Sequence, residues 1–168
     1  MKDEFEDIVS DLVNNSVVLE MKKYRQHFDV DCFSHCYDVS YCCYAIAKKL
    51  GLDYKAAARA GMLHDFFLYD WRVKNDYKGL HAFTHGKIAC ENSLKLFNLT
   101  KKEQDMIIKH MWPVTIVPPK SIEGFILTLA DKYCASKEIL KHLANVISRK
   151  EVVKYAGVVF HLLIMNIK

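Results

Sequence analysis

The sequence predicts an all-α fold, a single-domain helical bundle running through residues 1–168. Three observations carry this expectation. Only three prolines and six glycines punctuate the 168 residues. Apolar side chains recur at helical one-face spacing in segment after segment. No alternating strand pattern of useful length and no internal repeat interrupts them. A chain that is 51% hydrophobic and 26% charged is long enough to bury one full core and has an ordinary charge content.

The elements follow in order. Residues 3–24 form a first helix. Residues 34–50 form a second: His35, Val39, Cys42, Cys43, Ile46 and Leu50 share a face, Ser34 stands at the N-cap and Gly51 lies past the end. Residues 54–67 are alanine-rich and strongly helical. A helix over 84–97 starts at Thr84 and aligns His85, Ile88, Ala89, Asn92 and Leu96. Thr100 and Glu103 have capping-box spacing for a helix that stops before Pro113. Helices over 120–136, 138–147 and 150–166 complete the chain. Residues 69–83 and 112–120 are the longer connections.

Composition narrows the function. The net charge is +4, with lysines scattered rather than striped. A protein that grips many phosphates shows a denser basic surface, so no stable nucleic-acid complex is expected. The mild positive balance suits a small anionic substrate. The six cysteines, Cys32, Cys36, Cys42, Cys43, Cys90 and Cys134, make no paired C-x-x-C arrangement and read as reduced thiols. The opening MKDEFEDIVSDL is acidic where a signal peptide is basic, so a cytoplasmic protein is expected. The run VVKYAGVVFHLLIMNIK is too short and too interrupted by Lys154 and His161 to span a bilayer. It reads as a core helix or as the seam of a homodimer.

Polar groups sit where oil should be. His35 belongs to the apolar stripe of its helix, and His110 follows Met106 and Ile107 at helical spacing. His85 leads a buried face, Asp131 lies inside GFILTLADKYCA, and His64-Asp65 end the alanine-rich helix. Singly, a histidine on an apolar face is more often a hydrogen-bonded core residue than a ligand. Together, four imidazoles and two carboxylates in one core cost many kcal/mol without compensation. First-row divalent metals accept both donor types, and one metal centre would satisfy all six groups.

These residues resemble the signature of the HD-domain superfamily of metal-dependent phosphohydrolases: a histidine, a later His-Asp doublet and a final aspartate. Here they are His35 in SHCYDVSYCCYAIAKKLGLD, His64-Asp65 in ARAGMLHDFFLYDW and Asp131 in LTLADKYC, within about residues 30–137. The sequence is similar to a subset with further histidines, supplied by HAFTHGKIACEN and IIKHMWP. The resemblance implies that His35, His64, Asp65 and Asp131 hold one metal. It implies that His85 and His110 hold a second, with Asp65 bridging, and leaves His81 to support a ligand or touch substrate. Phe66-Phe67 depart from the usual small residue after the doublet and are expected to reshape the pocket wall.

The implied cofactors are one or two divalent ions among Mn, Fe, Mg, Ni, Co and Zn, with iron or manganese favoured for a two-metal site. The implied reaction is phosphoester hydrolysis by metal-activated water, on a nucleotide or another small phosphorylated metabolite. Asp65, Lys132 and Arg72 are the expected catalytic residues; Arg72 is expected to fork onto a phosphate. Lys74 and Lys78 are candidate helpers. Phe66, Phe67, Tyr69, Trp71, Tyr77 and Phe83 supply aromatics for stacking a base. Two alternatives remain open: a di-iron oxygenase of the same superfamily, and a non-catalytic, metal-stabilised binding module.

Overall fold

A computed structural model describes residues 2–73 and 79–148. The architecture is all-α with one two-stranded ribbon. The elements run α1 (Lys2–Val13), α2 (Ser16–Leu19), a 3₁₀ turn (Glu20–Lys23), β1 (Arg25–His27), β2 (Val30–Asp31), α3 (Cys32–Lys49), α4 (Tyr54–Leu63), α5 (His81–Leu94), α6 (Lys101–Lys109) and α7 (Ile122–Ser148).

The amino-terminal segment is broken where one helix over 3–24 was expected. α1 buries Phe5, Val9 and Leu12. Asn15 then ends the run, because its side chain accepts from the backbone N–H groups of Val17 and Val18 and starts α2 afresh. The ribbon was not expected either. β1 and β2 pair antiparallel across a turn in which Phe28 takes φ +45°. Strands of three and two residues are too short to show a period. The ribbon sets Gln26 and His27 beside the buried end of α3.

α3 starts at Cys32, two residues before the expected Ser34. Asp31 is its N-cap and accepts from Ser34 N–H at 2.9 Å. Gly51 follows the helix with φ +66°, the left-handed conformation that stops it. α3 and α4 pack closely enough that a Cβ on Gly61 would sit 2.8 Å from Ser40 Cα. Only glycine permits that approach, and it fixes where the end of α4 lies.

α4 stops at Leu63, short of the expected 67. The chain then turns, with Phe67 N–H donating to Asp65 O at 2.8 Å and Leu68 at φ +55°. α5 starts at His81, three residues before Thr84, whose hydroxyl donates back to Leu80 O at 3.2 Å from within the first turn. α6 carries the expected capping box between Thr100 and Glu103. α7 is one helix of 27 residues where two were expected. Ser136 does not break it, because its hydroxyl donates to Lys132 O at 2.7 Å and the ladder continues.

The core gathers Cys36, Val39, Cys43, Ala57, Met62, Leu63, Phe66, Phe67, Met106, Ile107 and Leu127 between these helices. All six cysteines are free. Among the described residues no helix is long and apolar enough to cross a membrane. The expected helix over 150–166 lies outside the described residues.

Candidate metal centre

Four helix ends, one turn and the middle of α7 converge on a buried polar cluster. His35 comes from the first turn of α3, His64 caps the end of α4, and Asp65 follows it in the turn. His85 comes from α5, His110 caps the end of α6, and Asp131 comes from α7. All six are between fully buried and nine per cent exposed.

Three of the imidazoles have their tautomer set by backbone. A carbonyl only accepts, so the ring nitrogen facing it carries the proton. His64 Nδ1–H donates to Gly61 O at 2.8 Å, His85 Nδ1–H to His81 O at 2.7 Å, and His110 Nδ1–H to Ile107 O at 2.8 Å. Their Nε2 atoms are left to point inward.

Those nitrogens meet Asp65. His64 Nε2 lies 3.4 Å from Asp65 Oδ2 and 3.6 Å from Asp131 Oδ1, while His35 Nε2 lies 3.1 Å from that same Asp131 oxygen. On the other side, His85 and His110 bring Nε2 to 3.2 and 3.5 Å from Asp65 Oδ1. Asp65 thus turns one oxygen to each side. His85 Nε2 and His110 Nε2 stand 2.9 Å apart. Two lone pairs at that distance repel unless a cation or a shared proton lies between them.

The electrostatics carry the same strain. Burial alone would raise the Asp65 carboxyl, but His64 and His85 beside it hold it far below the carboxylate range. Burial opposes charge on His35, yet Asp131 and Glu138 hold that imidazole well above its ordinary value. His110 goes the other way: burial, then the charge on His85, lower it to about 3.

A divalent ion fits these donors. His64 Nε2 and Asp65 Oδ1 are buried with no hydrogen-bond partner, which is costly in an apolar interior. Two donors about 2.1 Å from one cation and at right angles about it stand about 3 Å apart. The separations above match that spacing. Among the described residues, three groups have donor atoms within 4.8 Å of one another: His35 with His64 and Asp131, His64 with Asp65 and His110, and His27 with His35 and Glu138.

Beside the cluster opens a cavity of about 260 Å³. Lys132 lines it, with its ammonium 3.4 Å from His110 O and Thr128 O. His81 lines it too, its Nδ1 2.9 Å from the Tyr69 hydroxyl and its ring stacked between His85 and Trp71. Burial, then His85, lower His81 to about 4, so it is neutral at pH 7.

Other sequence candidates stand elsewhere. Arg72 is not among the residues lining the cavity; its guanidinium forks onto Asp70 at 2.8 and 2.6 Å, a local pair that occupies the phosphate-binding geometry. Phe66 and Phe67 are wholly buried in the core rather than in the cavity wall, and Phe83 is exposed away from it. Of the described loop aromatics, Trp71 alone borders the cavity. Lys74, Tyr77 and Lys78 lie outside the described residues.

Three contacts of the cluster were not found in the sequence. Gln26 donates its amide N–H to Asp65 Oδ2, and His27 sets its ring edge-on to His35 at 5.3 Å. Glu138 Oε1 lies 2.9 Å from His35 Nδ1. Glu138 is seven residues, two helical turns, past Asp131, a spacing that an expected helix break at residue 137 concealed.

Comparison with known proteins agrees with this geometry. A family model described as HD domain matches residues 32–136. Ribonuclease Y of Oleidesulfovibrio alaskensis is 32% identical over 130 residues, covering 74% of this chain and 23% of that protein. Ribonuclease Y of Clostridium perfringens (strain SM101 / Type A) is 39% identical over 67 residues, covering 40% of this chain and 12% of that protein. Ribonuclease Y of Alkaliphilus metalliredigens is 29% identical over 115 residues, covering 68% and 22%. The chain therefore spans less than a quarter of the length of these relatives. No solved structure matches it significantly. With the match covering most of the chain and every element that bears the cluster, the chain belongs to the HD-domain family, within the superfamily of metal-dependent phosphohydrolases.

Proposed function

We propose that the chain hydrolyses a phosphoester of a nucleotide or another small phosphorylated metabolite, using two divalent ions. His35, His64, Asp65 and Asp131 hold one ion, and His85, His110 and Asp65 hold the other. The observation that carries this reading is the 2.9 Å approach of His85 Nε2 to His110 Nε2, both facing a partnerless Asp65 oxygen. Bound ions of this kind supply an activated water and a clamp for phosphoryl oxygens.

The chain's own groups do the rest. The backbone carbonyls of Gly61, His81 and Ile107 keep three imidazoles in the tautomer that offers Nε2. Lys132 places a positive charge at the cavity wall, where an anionic phosphoryl group can accept from it. Trp71, stacked on His81, offers an aromatic face at the cavity mouth for a base or sugar. Among the described residues lining the cavity, Lys132 is the only lysine or arginine. A polynucleotide held by many phosphates needs more, which favours a small substrate.

The relatives' name favours a second reading, in which the ester cleaved is an RNA phosphodiester. One assay separates the readings. Manganese- or iron-loaded protein is incubated with mononucleotides, dinucleotides, an oligoribonucleotide and a p-nitrophenyl phosphodiester, with and without oxygen. Metal-dependent release from the small substrates supports the proposal. Cleavage confined to the oligoribonucleotide moves the reading to RNA. Oxygen consumption without phosphoester cleavage contradicts both.

A further inference from the structure

Glu138 does no work in the reading above, yet it is held firmly against the cluster. Its side chain is ten per cent exposed and His35 is fully buried. Its second oxygen, Oε2, is buried without a hydrogen-bond partner. A buried carboxylate in that state persists only where something nearby compensates its charge.

His35 is gripped at both nitrogens by α7. Nδ1 lies 2.9 Å from Glu138 Oε1, and Nε2 lies 3.1 Å from Asp131 Oδ1. Ionised carboxylates only accept. Either His35 carries two protons, or one nitrogen donates to a carboxylate and the other shares a cation with it. Asp131 and Nε2 face the cluster in which His64 Nε2 is also near Asp131. Glu138 and Nδ1 face away from it, toward His27. The proton therefore belongs on Nδ1.

We propose that Glu138 is the positioning residue of His35: by accepting the Nδ1 proton it fixes the ring's orientation and presents Nε2 as a lone pair to the ion shared with Asp131. The proposal rests on the metal reading above. Histidine ligands commonly donate their other N–H to such a partner, which raises ligand basicity and locks the tautomer. Seven residues is two turns of α7, so one helix supplies both the ligand Asp131 and the group that orients His35 on α3.

The same donor atoms could be read as a third ion site, since His27, His35 and Glu138 lie within 4.8 Å of one another. That reading requires His35 to ligate through both nitrogens and so to lose both its protons. Without His35 only two donors remain, too few for an all-protein site. The orienting role needs neither.

The test uses the full chain loaded with Zn²⁺ alone. Binding is followed by titration calorimetry and elemental analysis, and histidine tautomers by long-range ¹H–¹⁵N correlation. In the unaltered chain, His35 should be protonated at Nδ1 and metallated at Nε2. Glu138→Ala should weaken one of two ions by roughly 10–100-fold and leave the other unchanged. Glu138→Gln should restore most of that affinity, because the amide oxygen still accepts from Nδ1–H. Two binding events of unchanged affinity in Glu138→Ala overturn the role of Glu138 and leave the metal centre standing. An unaltered chain that binds no Zn²⁺ overturns both. Should Glu138→Ala fail to fold by circular dichroism, the spectrum of the unaltered chain decides, and a bare Nδ1 on His35 overturns the proposal.

Discussion

Gly86 offers a sharp perturbation of the centre, because it touches no ligand covalently except through its neighbour His85. A Cβ at this position would meet Ile107 O at 2.9 Å, Ile108 O at 3.0 Å and His110 Cε1 at 3.4 Å. Ordinary contact begins near 3.4 Å, so Gly86→Ala forces the last turn of α6 away from α5 by about 0.5 Å at the backbone. Ile107 O is also the acceptor that orients His110, at 2.8 Å from Nδ1. The His110 ring must therefore move with it. Overpacking of this kind costs about 1–3 kcal/mol, which lowers Tm by roughly 2–12 °C for a chain of this size. A ligand displaced by about 0.5 Å exceeds the roughly 0.2 Å tolerance of a metal site. The ion between His85 and His110 should then bind at least about tenfold more weakly, while the ion beside His35 and Asp131 serves as the internal control. Scanning calorimetry reads the first effect, and Mn²⁺ titration with elemental analysis reads the second. A variant with unchanged Tm and two full equivalents of metal would refute the reasoning.

Other outcomes follow from the same geometry. Asp65→Ala removes the carboxylate facing both sides, so elemental analysis should find both ions lost and turnover abolished; full metal content contradicts the shared role. His110→Ala should lose one ion and keep the other, and equal loss of both points to a mononuclear site. Asp131 holds His35, and Asp65 holds His64, well above the ordinary histidine value against the pull of burial. In the metal-free protein this contributes stability that is fully present below about pH 6.5 and is lost as pH rises through the raised values. A metal must displace those protons, so its affinity in calorimetry should rise with pH across the same window; a flat profile contradicts ligation by these rings. Arg72→Ala should leave both metal content and turnover unchanged, since its partner is Asp70, whereas Lys132→Ala should lower turnover without loss of metal. A reversed pattern in kinetics would put Arg72 back at the substrate.

Much of the centre was legible because its signal is chemical misplacement. His35, His85, His110 and Asp131 stand on faces that periodicity assigns to the core, and burying six such groups costs least where they compensate one another. The capping box at Thr100 and the stop at Gly51 were legible because each is local chemistry. What escaped was nonlocal or too short. Gln26 and His27 sit on a ribbon whose two strands total five residues, which has no period to read. Asn15 broke the first helix through a side-chain bond that composition does not reveal. Glu138 was hidden by dividing α7 at residue 137, although Ser136 can bond back to its own helix. The pairing of Arg72 with Asp70 escaped because it forms inside a loop, where neither helical nor strand periodicity applies.

Anomalous diffraction from crystals of the manganese-loaded protein tests the central claim most directly. Two peaks are expected on opposite sides of Asp65, one within ligand distance of His35, His64 and Asp131, the other of His85 and His110. A map with no peak beside Asp65 and the six side chains hydrogen-bonded only to one another would contradict it.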